Sequence, residues 1–94
     1  MAYRAHVIIS GEPQQAQEVT AALRDEIEAL ALGAEVEVLE ATDLTVSPLG
    51  VEAIVYPEAV QYVGLTPDNA RWIAQEHFYK GRPVESLQYQ ERYL

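Results

Sequence analysis

The hydrophobic period changes twice within the first forty residues, and this restricts the fold more than any other feature of the chain. Residues 3–9 close on the unbroken apolar run Val7-Ile8-Ile9, the pattern of a strand covered on both faces. Ser10-Gly11-Glu12-Pro13 interrupts the run, and Pro13 suits the first turn of a helix. Ala16, Val19, Leu23, Ile27 and Leu30 then recur at three- and four-residue steps. This predicts a helix over 13–32 with Gly33 as its left-handed stop. Arg24 and Glu28, one turn apart off the stripe, are expected to pair on the surface. Ala34 to Glu40 alternates, with Val36 and Val38 inward and Glu35, Glu37 and Glu40 on a solvated face, as at a sheet edge. A strand–helix–strand crossover is right-handed, so its two strands run parallel.

The remainder predicts a hairpin and a closing helix. Residues 51–56 form a third strand, Pro57-Glu58 a two-residue link, and residues 59–63 a returning fourth strand. Thr66 is placed to cap a helix that starts at Pro67 and runs to about Lys80, ended by Gly81. Ala70, Ile73, Ala74 and His77 share one of its faces. The class is α/β: a mixed four-stranded sheet of thioredoxin-like arrangement, built from a βαβ unit, a hairpin and a helix. A ferredoxin-like split βαβ gives a similar string of elements.

Several functions are excluded at this level. Ninety-four residues make one domain, 1–94. No apolar run approaches the ~20 residues of a membrane helix. The start, Met1-Ala2-Tyr3-Arg4, lacks the regions of a signal peptide, so a cytoplasmic protein without membrane insertion is expected. Fifteen acids against six bases, net −9, argue against nucleic acid. There is no cysteine, hence no disulfide, thiol catalysis or thiolate-held metal from this chain.

Little in the sequence supports catalysis. His6 and His77 are the only histidines, on different elements, and read as core or boundary residues rather than metal ligands. No serine elbow, phosphate-binding glycine run or Cys-x-x-Cys pair occurs. The aromatic residues concentrate in the second half, and tyrosine and tryptophan favour interfaces. Tyr56, Tyr62, Trp72, Tyr79, Tyr89 and Tyr93 are therefore interface candidates. Trp72 lies off the apolar stripe and reads equally as a boundary tryptophan over the hairpin.

One stretch carries a resemblance. Val55-Tyr56-Pro57-Glu58-Ala59-Val60-Gln61-Tyr62, Gly64-Leu65-Thr66-Pro67-Asp68, Glu76-His77 and Gly81-Arg82-Pro83-Val84-Glu85-Ser86-Leu87 appear in order. This resembles the C-terminal half of the thioredoxin-like two-iron two-sulfur ferredoxins. That family shows VYPEGVWYGGVTPED, then EEH, then G-(R/K)-P-V-E-x-L. About a third of the chain matches closely. The resemblance implies a thioredoxin-like fold and a homodimer. In the family, four cysteines hold an electron-transferring cluster. The corresponding positions here are Ser10, Asp43 and Ser47, and the loop bearing the remaining cysteine is nearly missing. The family's turn glycine is Ala59, which argues against a positive-φ turn there; its strand tryptophan is Gln61.

The expectation is therefore a cluster-less ferredoxin-like protein, not an enzyme, with neither metal nor cofactor. It would act as an interaction or accessory module for protein partners, including a second copy of itself, or as a subunit of a redox complex. Two rival readings are an electron carrier whose cofactor is not held by cysteines and a small enzyme of unknown reaction.

Overall fold

In the computed structural model the described residues are 2–41 and 49–90. The elements are β1 (Ala5–Ser10), α1 (Pro13–Ala29), β2 (Val36–Glu40), β3 (Glu52–Tyr56), β4 (Val60–Tyr62) and α2 (Pro67–Ile73). A π-helical continuation (Ala74–Tyr79) and a short 3-10 turn (Glu85–Leu87) follow. The sheet order is β2-β1-β3-β4. β1 and β2 are parallel, as the crossover requires, and β3 and β4 are antiparallel additions.

α1 starts at Pro13, but its cap is Glu12, whose carboxylate accepts from the Gln14 and Gln15 N–H groups at 3.1 and 2.9 Å. It stops earlier than the periodicity predicts. Ala31, at φ 59°, takes the left-handed position assigned to Gly33. The Leu32 N–H then bonds the Ile27 carbonyl and the Ala31 N–H that of Glu28, completing a Schellman motif. The reversal turns Leu32 into the core, which decides where the helix ends. At α2, Thr66 Oγ1 accepts from the Asn69 N–H at 3.2 Å, as its spacing predicts.

The hairpin link is three residues long, Pro57 to Ala59. Ala59 has φ 62°, so a left-handed turn forms here on an alanine, contrary to expectation.

The larger correction concerns the faces of the sheet. Ala5, Val7, Ile9, Val36, Val38, Ala53, Val55 and Tyr62 are buried in one cluster with residues of α1, α2 and the π-helical turn, among them Leu23, Ile27, Ile73 and Phe78. The alternate residues His6, Ile8, Ser10, Glu52 and Ile54 stay half-exposed. β1 is therefore covered on one face, although both of its faces carry apolar residues.

Candidate functional site

Cross-strand register organises the open face. Ile8 stands opposite Leu39 on one side and Ile54 on the other, giving a continuous apolar row Leu39–Ile8–Ile54. Gln61 ends the row and bonds Glu52 at 3.0 Å. One pleat away, His6 stands opposite Glu37 and Tyr56. Its Nδ1 lies 2.8 Å from Glu37 Oε1, and its ring meets Tyr3 edge-on. Leu39 is 44% and Tyr56 41% exposed.

The interface candidates do not form one patch. Tyr56 belongs to the open sheet face. Trp72 and Tyr79, 42% and 61% exposed, stand on α2 and its π-helical continuation, on the helix side. Tyr89 is exposed beyond the 3-10 turn, and Tyr93 lies outside the described residues. Tyr62 is a correction: it is 0% exposed, because its place opposite Ala53 turns the ring to the covered face. It cannot contact a partner of the folded chain.

Tyr62 instead anchors a buried relay. The Val84 N–H donates to Tyr62 Oη at 3.0 Å, and Tyr62 Oη lies 2.8 Å from His77 Nδ1. His77 Nε2 lies 2.6 Å from Glu58 Oε2. With His77 in its neutral Nε2–H tautomer, the donors chain in one direction: Val84 N–H to Tyr62, Tyr62 O–H to His77 Nδ1, and His77 Nε2–H to the Glu58 carboxylate. Burial pushes the Tyr62 hydroxyl above its ordinary value near 10; the Val84 N–H offsets part of this and the Glu58 charge adds to it. Phe78 stacks on the imidazole at 5.0 Å, and Arg4 donates to the Phe78 carbonyl. Both imidazole nitrogens are engaged, so His77 presents no lone pair to the shallow cleft beside it. The relay joins the hairpin link, β4, the π-helical turn and the exit segment. Its members lie at sequence separations from 4 to 26 with no periodicity (58, 62, 77, 84); all four fall within the motifs that carry the resemblance, but nothing in the sequence joins them into one network.

Of the three positions that the resemblance matches to cluster ligands, only Ser10 is among the described residues. Ser10 is the last residue of β1, in register opposite Glu52. Asp43 and Ser47 lie outside the described residues.

The fold defines a class, the thioredoxin-like α/β proteins with a mixed four-stranded sheet. Within it, the chain is similar to the thioredoxin-like [2Fe-2S] ferredoxin from Aquifex aeolicus. The wild-type crystal structure superimposes with a TM-score of 0.82 at 22% identity, covering 96% of this chain and all of that one. A second structure of that ferredoxin gives 0.82 at 22% identity, covering 99% of this chain and 96% of the other. A cysteine-to-serine variant gives 0.80 at 23% identity, covering 93% and 99%. No family model and no curated protein matches the sequence. At this identity the likeness is one of fold.

The donor set does not fit the cluster those proteins are named for. The chain offers no thiolate, and hydroxyl and carboxylate oxygens are poor replacements for a full set of sulfur ligands. Among the described residues no three metal-ligating side chains converge. Among them, too, no helix is long and apolar enough to cross a membrane.

Proposed function

We propose that this chain is a cluster-less ferredoxin-like protein that works in the cytoplasm as a protein-interaction or accessory module, without catalysis, and that a second copy of itself is among its partners. One observation carries the reading. The helices cover one face of the sheet, while the other, polar elsewhere, carries one apolar cross-strand row. The row Leu39–Ile8–Ile54 is left for another molecule to cover. A domain this small gains stability from burying further surface, and a two-fold contact needs only one self-complementary patch. The relay supports the reading from the other side, since its histidine is consumed in holding the fold together.

The test is mass by light scattering at micromolar concentration and moderate salt. The expected mass is twice 10.5 kDa for the wild type. Ile54→Lys, with unchanged secondary structure by circular dichroism, is expected to be a monomer. A wild-type mass near 10.5 kDa, or an Ile54→Lys protein still dimeric, overturns the proposed contact. Separately, one iron or more per chain after anaerobic purification would remove the cluster-less assignment.

A further inference from the structure

The two edges of the sheet are finished differently. Along β4 the chain covers its own edge: the Val63 N–H bonds the Leu87 carbonyl, the Tyr89 N–H bonds that of Gln61, and Tyr62 bridges Gln88. β2 has no such cover among the described residues. Its parallel ladder uses the odd positions, as the Ala41 N–H to Ile9 carbonyl bond shows, so the backbone groups of Val36, Val38 and Glu40 point away from β1. The Val36 N–H is taken by the Leu32 carbonyl. The Val38 carbonyl is taken by one side chain, Arg24, whose Nη2 donates to it at 2.7 Å. Arg24 is therefore an edge guard, and not the partner of Glu28 that its helical spacing predicts.

Beside this edge, between β2 and α1, lies a cleft of about 480 Å³ lined by Arg24, Ile27, Glu28, Val36, Val38 and Leu39 among others. Its charged lining is Glu28 and Glu37 against Arg24, and Glu40 lies at the adjoining end of β2. Arg4 is engaged with Glu35, and Arg24 with the β2 backbone. Glu28 and Glu40 stand in no ion pair among the described residues.

We infer that the β2 edge receives an extended, basic segment of a protein partner by strand addition, displacing the Arg24 guanidinium from the Val38 carbonyl. The added backbone takes the Val36 carbonyl, the Val38 N–H and carbonyl, and the Glu40 N–H. Its side chains meet Ile27 and Glu28 on the helix side and Glu37 and Leu39 on the other. Acidic surroundings select lysine or arginine and speed encounter. The inference rests on the reading of the chain as an interaction module, but its backbone contacts are made at the strand edge and it shares only Leu39 with the apolar row of the sheet face. Its failure therefore leaves the mass and Ile54→Lys results standing.

The probe is a capped, fluorescent seven-residue peptide alternating lysine and valine, with a glutamate–valine counterpart, measured by polarisation at moderate salt. The lysine peptide is expected to bind and the glutamate peptide not. Arg24→Gln is expected to tighten binding several-fold by removing both guard and like charge. Glu40→Gln lowers affinity by about threefold or less, as for one screened surface charge. Glu40→Pro loses the same charge and also an outward N–H, so affinity falls by about tenfold or more. Amide exchange of wild-type Val38, slowed by the lysine peptide, reads the same contact without any variant. Absence of binding, equal binding of both peptides, equal losses for Glu40→Pro and Glu40→Gln, or unchanged Val38 exchange overturns the inference.

Discussion

Tyr62 and His77 share a hydrogen bond of 2.8 Å inside the protein, and that bond ties β4 to the π-helical end of the second helix. Tyr62 also receives the Val84 N–H, so one hydroxyl serves two buried partners. Tyr62→Phe leaves both without it at nearly unchanged volume. Each orphaned buried group costs about 1–3 kcal/mol, so a loss of at least ~2 kcal/mol is expected. Tyr56→Phe, on the exposed tyrosine, is expected to stay within about 0.5 kcal/mol. Urea unfolding of the two variants side by side is the check.

The same hydroxyl makes stability depend on alkaline pH. Its folded value is raised above the ordinary one near 10, chiefly by burial. Below the ordinary value both states keep the proton and the stabilisation is complete. Between the ordinary and the raised value the unfolded chain sheds a proton that the folded chain retains, so stability falls as pH rises through that window. Tyr62→Phe removes this contribution. Unfolding free energies from pH 8 to 11 are expected to fall more steeply for the wild type; parallel curves would contradict the assignment.

Ala31 and Ala59 sit at φ 59° and 62°, where a Cβ is unfavourable. Ala31→Gly and Ala59→Gly are each expected to raise stability by about 1 kcal/mol, despite the added freedom of the unfolded chain. The two sites lie in separate turns, so the gains should add. Thermal midpoints of the single and double variants measure this.

Leu23 and Thr20, 2% and 1% exposed, lie on the buried side of α1 and should respond in opposite directions. Leu23→Ala opens a cavity and is expected to cost about 2–5 kcal/mol. Thr20 Oγ1 is buried with no hydrogen-bond partner. Thr20→Val keeps the shape and discards the unsatisfied hydroxyl, for a gain of about 1 kcal/mol. Denaturant midpoints with unchanged slopes would confirm both as native-state effects.

What the sequence determined by itself was whatever local chemistry controls. The apolar stripe from Ala16 to Ile27 required α1, the alternation at Val36 and Val38 required a strand, and the handedness of the crossover made β1 and β2 parallel. Thr66 and Pro67 set the start of the second helix, and the absence of cysteine excluded any cluster held by thiolates of this chain. The run Val7-Ile8-Ile9 predicted a strand covered on both faces, whereas Ile8 lies on the uncovered one. Only the tertiary structure decided which face the chain's own helices cover, because period and composition say that a side chain favours burial but not what will cover it. It decided as well that α1 ends at Leu30 with Ala31 reversed, since the pull comes from seating Leu32 in the core. And it took Tyr62 from the candidate surface to the interior, because its place opposite Ala53 and the distant partners His77, Glu58 and Val84 meet only when the sheet and the second helix close on one another.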